Sequence, residues 1–205
     1  MKKIIFLIFC YTLIFNVKAQ EYKKYYDSGE LREIGRITNA KKEGECITYY
    51  KNGQKESVVF YKNDIVEGEM KLYYENGKLK QEGVFIGGVF DGLVKLYHRN
   101  GSLMKVFPYE NGIESGEYKE YFDNGQLKKV GFFRKGLKNG IYSFYYKNGK
   151  LKESGVYEKG KRIGEIISYY DNGQTKITGS FKNGVMNGES KANYKNGKLK
   201  AISFF

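Results

Sequence analysis

The residues that could do chemistry are few, and most of them recur with the chain. His98 is the only histidine, and Cys10 and Cys46 are the only cysteines, in 205 residues. A triad needs a histidine oriented beside a nucleophile. His98 has no nucleophile signature around it and stands where the equivalent positions carry Tyr or Phe, so it reads as an aromatic substitute. Cys46 is matched at equal spacing by Met70, Val94, Tyr118, Tyr142, Ile166 and Ser190, the pattern of a packing residue, not a nucleophile. Glu45, Glu69, Glu117, Glu165 and Glu189 also recur. A glycosidase needs two carboxylates in unlike environments, whereas these are equivalents, which reads as a solvated ladder. Asp-Asn-Gly-Gln at 123–126 and 171–174 has some features of a calcium loop, but Lys51, Lys147 and Lys195 replace the Asp in sister units. Turn chemistry explains it better. No cysteine and histidine spacing suits zinc, and the glycines lack the strand–loop–helix setting of a phosphate cradle. The expectation is a protein without catalytic residues, metal or cofactor.

The elements that carry these residues follow one period. Turn glycines fall at 29, 53, 77, 101, 125, 149, 173 and 197, always 24 apart. A second series at 44, 68, 92, 116, 140, 164 and 188 keeps step, as does Ile37, Tyr61, Phe85, Tyr109, Phe133, Tyr157, Phe181 and Phe205. This is a repeat protein of eight units. With 20 Tyr, 14 Phe, 26 Gly and one Pro, the composition favours short strands and tight turns. Asn-Gly between aromatic residues predicts a two-residue type I′ hairpin. That turn at Asn148-Gly149 pairs Tyr146 with Leu151 and Tyr145 with Lys152, and a looser turn over 159–164 reverses the chain again. No apolar stripe of helical period is present in residues 20–205.

Alternation then assigns faces. The second Tyr of each pair, the Leu series, the aromatic series and the small Gly35, Gly83, Gly131, Gly155 and Gly179 share an apolar face, the glycines leaving room for a neighbouring ring. The opposite face carries the first Tyr of each pair beside a basic residue. Its members Tyr25, Arg32, Tyr73, Lys80, Tyr121, Lys128, Tyr145, Lys152, Tyr169 and Lys176 form the candidate contact surface, each basic stem lying along a ring. Glu33, Lys105 and Lys129 on the apolar face, and Val58, Val106 and Val130 on the basic one, break the pattern. Either a bulge or a sheet with no dry face would account for them.

Residues 1–19 read as a signal peptide: Lys2 and Lys3, an apolar run from Ile4 to Phe15, then Val17-Lys18-Ala19. The run is too short for a transmembrane helix, which needs roughly 20 residues. Bulky Phe9 before Cys10 argues against lipidation. Cleavage after Ala19 leaves 33 basic against 23 acidic residues, net +10, with a single cysteine and hence no internal disulfide. Such a surface favours anionic partners, though lysine also keeps strand-rich surfaces soluble. Export implies a periplasmic, outer-membrane-associated or extracellular location.

The unit Tyr-Tyr-x-Asn-Gly-x-Leu-Lys-x-x-Gly-x-Tyr/Phe, followed by Gly-x-x-x-Gly, resembles the MORN repeat in its bacterial variant form, over about residues 22–205. The resemblance implies an all-β fold, an elongated, twisted, open antiparallel meander with about two strands per unit. It also implies a scaffold that contacts membrane lipids or other proteins, or pairs with itself through the sheet, without catalysis. The function expected is an exported binding or scaffold module for a protein, an anionic lipid or a glycan; nucleic acid is not expected. The alternative that the resemblance brings is an antitoxin-like or immunity protein that neutralises a partner.

Overall fold

Twenty-one strands and no helix make up the described residues, 18–205, of the computed structural model. Apart from Lys18 and Ala19, the expected leader lies outside them. Every long strand pairs antiparallel with its neighbours in sequence: Leu151–Glu158, for example, pairs back onto Gly140–Tyr145 and forward onto Lys161–Tyr169. Gln20–Tyr25 and Leu199–Phe204 each have one strand partner among the described residues, so the meander is open at both ends.

The two kinds of turn are the reverse of the expectation. At Asn148-Gly149 the Gly149 amide donates to the Tyr146 carbonyl and the Tyr146 amide to the Lys150 carbonyl (2.9 and 2.8 Å). The loop therefore has three residues, with Gly149 alone at positive φ (82°). This is a type I turn closed by a left-handed glycine. Asn148 stays at ordinary φ because its Oδ1 accepts the Lys150 amide at 3.1 Å. The two-residue I′ turn sits at the other end of the hairpin, where Lys159 and Gly160 both have positive φ (48° and 81°) between the paired Glu158 and Lys161.

The three-residue loop shifts the register by one, and a bulge restores it. Tyr145 lies opposite Leu151 and Phe144 opposite Glu153, so Lys152 is the extra residue. The same bulge recurs in every hairpin of this type. The second glycine series explains why there are more strands than two per unit. These glycines hold positive φ, from 63° to 118°, and in most units break the return strand into a two-residue arm and a longer piece.

A single row carries the core. Tyr118 pairs with Gly131, Tyr142 with Gly155 and Ile166 with Gly179. Cys46, Met70, Val94, Tyr118, Tyr142 and Ile166, one per repeat, are the buried apolar residues of the described chain. The rings need their glycines. A Cβ on Gly131 would stand 2.7 Å from the Tyr118 ring, and one on Gly155 would stand 2.8 Å from Tyr142 Oη. Neither glycine has positive φ, so the requirement there is space alone. Gly131→Ala is expected to lower the stability of the sheet by about 1–3 kcal/mol, the cost of overpacking, read as a lower urea midpoint.

Candidate functional site

The predicted pairing of first Tyr and Lys does not form. The bulge residues are Arg32, Glu56, Lys80, Met104, Lys128, Lys152, Lys176 and Lys200, so each candidate cation is the residue that no strand partner faces. A bulge re-aims its side chain. Here it turns the cation toward the ring of the second Tyr, not the first. Lys152 Nζ lies 5.6 Å from the Tyr146 ring centroid, and the distances for Arg32 over Tyr26, Lys80 over Tyr74, Lys128 over Phe122 and Lys176 over Tyr170 are 5.7, 5.9, 5.8 and 5.7 Å. Lys200 adds a sixth pair, over Tyr194 at 5.7 Å, that the candidate set had omitted. All fall within cation–π range.

The first Tyr column is placed differently. Tyr73, Tyr121, Tyr145 and Tyr169 are half-buried and lie opposite Leu79, Leu127, Leu151 and Thr175, and only Tyr25, on the edge strand, is largely exposed. Their carbonyls have a structural task. Tyr26, Tyr50, Tyr74 and Tyr146 each donate Oη to the carbonyl 23 residues on, at 2.7–2.8 Å, in the next repeat. His98 places Nε2 3.3 Å from the Tyr121 carbonyl and so takes the same role, as its aromatic slot implied. The second Tyr is thus a staple between repeats, and its ring is the platform on which the cation rests.

The six cations share one electrostatic property. None has a carboxylate within ion-pair distance among the described residues, whereas Lys24, Lys42, Lys71, Lys95, Lys119 and Lys129, in other columns, are all paired. All six are exposed. Successive members lie two strands apart, roughly 10 Å, and Lys128, Lys152, Lys176 and Lys200 are consecutive.

Neither face is dry, as the imperfect alternation suggested. Glu33 shares the core face with Gly35, receiving hydrogen bonds from Tyr22 Oη (2.6 Å), Lys42 Nζ (2.7 Å) and Lys24 Nζ (3.0 Å). Val130 pairs with Lys119 and Ser143 on the opposite face. An open trough of about 500 Å³ lies there, lined by Val130, Phe132 and Ile141, with Glu117 at its rim bridged to Lys119. Burial pushes the Cys46 thiol above its ordinary pKa, which keeps it a packing group. Burial also raises the Glu33 carboxyl, but the hydrogen bonds from Lys42, Tyr22 and Lys24 outweigh that and hold it at about 2. Among the described residues no set of His, Cys, Asp and Glu is placed to hold a metal, and no helix is long and apolar enough to cross a membrane.

Comparison with known families gives the same period. A model described as MORN repeat variant matches seven times, at residues 42–63, 66–86, 90–111, 114–135, 138–159, 162–183 and 186–205. The chain belongs to the MORN repeat variant family. No curated protein matches it. The MORN repeat is a non-catalytic repeat type that serves as a binding module, and here its first hairpin, Gln20–Thr38, extends the matched units by one.

Two measurements test the groups that hold this surface. Tyr146→Phe keeps the ring and removes one staple, so it should cost about 1 kcal/mol of stability, with Phe122 showing that the slot accepts the change. The carboxyl of Glu33 has a folded pKa below its ordinary value near 4.3. Its contribution is therefore complete above that value and fades as pH falls toward about 2. The difference in melting temperature between the native chain and Glu33→Gln should shrink over that window.

Proposed function

We propose that the protein is an exported scaffold that presents its bulge cations to a repeating anionic partner of the cell envelope, a lipid surface or an acidic glycan. The observation that carries this reading is the unpaired state of the column. Arg32, Lys80, Lys128, Lys152, Lys176 and Lys200 are the cations that the bulges aim onto aromatic platforms, and among the described residues no carboxylate lies within ion-pair distance of them. A platform restricts the lysine stem before binding, which lowers the ordering cost of each contact. A pitch of roughly 10 Å lets several contacts form on one extended anion or headgroup layer, so that weak contacts add. The leader-like residues 1–19 and the net positive charge beyond them support the envelope as the setting.

The chain with Lys80, Lys128, Lys152 and Lys176 changed to Glu tests it. The native chain should float with vesicles containing phosphatidylglycerol, or be retained by an acidic polysaccharide, and should release steeply as salt rises. Neutral phosphatidylcholine vesicles should not hold it. The quadruple variant should lose binding by at least tenfold while melting at a similar temperature. Equal binding by both chains would overturn the reading.

A further inference from the structure

The two free edges of the sheet are complementary to each other. Among the described residues, Gln20–Tyr25 is a Tyr-type strand paired only with the strand after it, and Leu199–Phe204 a Leu-type strand paired only with the strand before it. The exact phase of the repeat makes one the continuation of the other. Residues 20–25 occupy the positions of Gly44–Tyr49, Gly116–Tyr121 and Gly140–Tyr145, and eight periods of 24 carry them to the slot that follows Phe205. We propose that copies of the chain join head to tail, the edge of Leu199–Phe204 in one copy pairing with the edge of Gln20–Tyr25 in the next.

The internal seams fix the register of this joint. Ile177 pairs with Ala192 and Thr178 with Lys191, as Glu33 pairs with Thr48 and Ile34 with Ile47. One period on, Ala201 faces Lys24 of the next copy and Ile202 faces Lys23. Lys23 is no guard of the edge, because Lys71, Lys95, Lys119 and Lys191 hold the same column inside the sheet.

Two further columns end in complementary halves. The residue two before each turn glycine runs Asp27, Lys51, Glu75, Arg99, Asp123, Lys147, Asp171, Lys195, with the sign alternating at every step. Inside the chain, Lys147 bridges Asp123 at 2.7 Å and Lys195 bridges Asp171 at 2.6 Å. Both bridges run from a lysine back to the acid one repeat before it, and Lys195 is already held by Asp171; a head-to-tail joint keeps the order of signs unbroken, with Lys195 one repeat before Asp27 of the next copy. The staple column behaves likewise. Tyr170 Oη donates to the Asn193 carbonyl at 2.8 Å, and one period on Tyr194 would meet the Tyr25 carbonyl of the next copy. The joint would also cover the exposed Ile202 and Phe204, and the two are 45% and 75% exposed in the single chain.

Two like edges cannot satisfy these columns, and the contact is heterologous. It generates an open filament, not a closed dimer.

The test uses residues 20–205, which contain every strand of the sheet. Sedimentation should show species larger than one chain, growing with concentration. Ala201 and Lys24 would oppose each other at a distance that a disulfide can span. Under oxidation, Ala201→Cys combined with Lys24→Cys should give a ladder of linked multimers, while each single variant gives at most a dimer. Phe205 and Gly188 exchange both amide bonds, so alternation directs the Ile202 amide to the free edge. Ile202→Pro should therefore abolish assembly while leaving the melting temperature close to native. A native chain that remains monomeric and a double-cysteine variant that stops at dimers would overturn the proposal. So would assembly by a folded Ile202→Pro chain equal to that of the native one. If that variant does not fold, the ladder decides alone.

Discussion

The constancy of the 24-residue pitch is the constraint on which the rest of the molecule depends. One hairpin of this chain has too little surface to bury anything. Its Tyr hydroxyl, its turn asparagine and its I′ turn amide are all satisfied in a neighbouring repeat: Tyr146 Oη on the Tyr169 carbonyl, Asn172 Nδ2 on the Lys195 carbonyl, the Gly160 amide on the Lys138 carbonyl. One inserted residue would move every later side chain to the wrong column. Stability therefore accumulates from seam to seam, as in other one-dimensional arrays. The core of one residue per repeat is consistent with that.

From this pitch the bulge acquires its meaning. The Asn-Gly loop takes three residues instead of two, because the asparagine side chain caps the turn amide and its carboxamide reaches the next repeat. The extra loop residue must be absorbed, and it is absorbed one step beyond the paired Leu. The position so released is where the sequence places its cations. The second Tyr is fixed by its staple, so its ring offers a rigid surface for them. Turn chemistry, register and the basic column are three consequences of one loop, which the first unit keeps with Ser28 in place of the asparagine.

Much of this was legible in the sequence, and the part that was not has a definite cause. The eight glycines at equal intervals gave the meander, and Gly131 and Gly155 opposite aromatic columns gave the ring-over-glycine packing. The slot shared by Cys46, Tyr118 and Ile166 was readable as a packing position. Which Tyr receives the lysine was not readable, since Asn-Gly suits a two-residue and a three-residue loop equally on composition. The choice depends on where a turn asparagine such as Asn172 finds partners for Oδ1 and Nδ2, here the Gln174 amide and the Lys195 carbonyl of the next repeat, and the second is a tertiary fact. Among the true I′ turns, Asn111-Gly112 and Asn183-Gly184 carry the full signature, whereas Asn39-Ala40 and Lys159-Gly160 carry only part of it.

Two neighbouring columns illustrate how the same scaffold can use charge for opposite ends. The column from Asp27 to Lys195 alternates in sign, with Lys147 bridged to Asp123 and Lys195 to Asp171, so its charges cancel along the sheet and little net field leaves the surface. The column from Arg32 to Lys200 repeats one sign wherever it is charged, apart from Glu56, and finds no partner within the sheet. Like charges at a spacing of one repeat repel, and that repulsion is unfavourable for folding. It persists over four consecutive repeats, Lys128 to Lys200, and the anionic partner proposed above would relieve it. The alternating column is complemented by another repeat, whereas no repeat complements the single-sign column, which is why the proposed function looks outside the sheet for its partner.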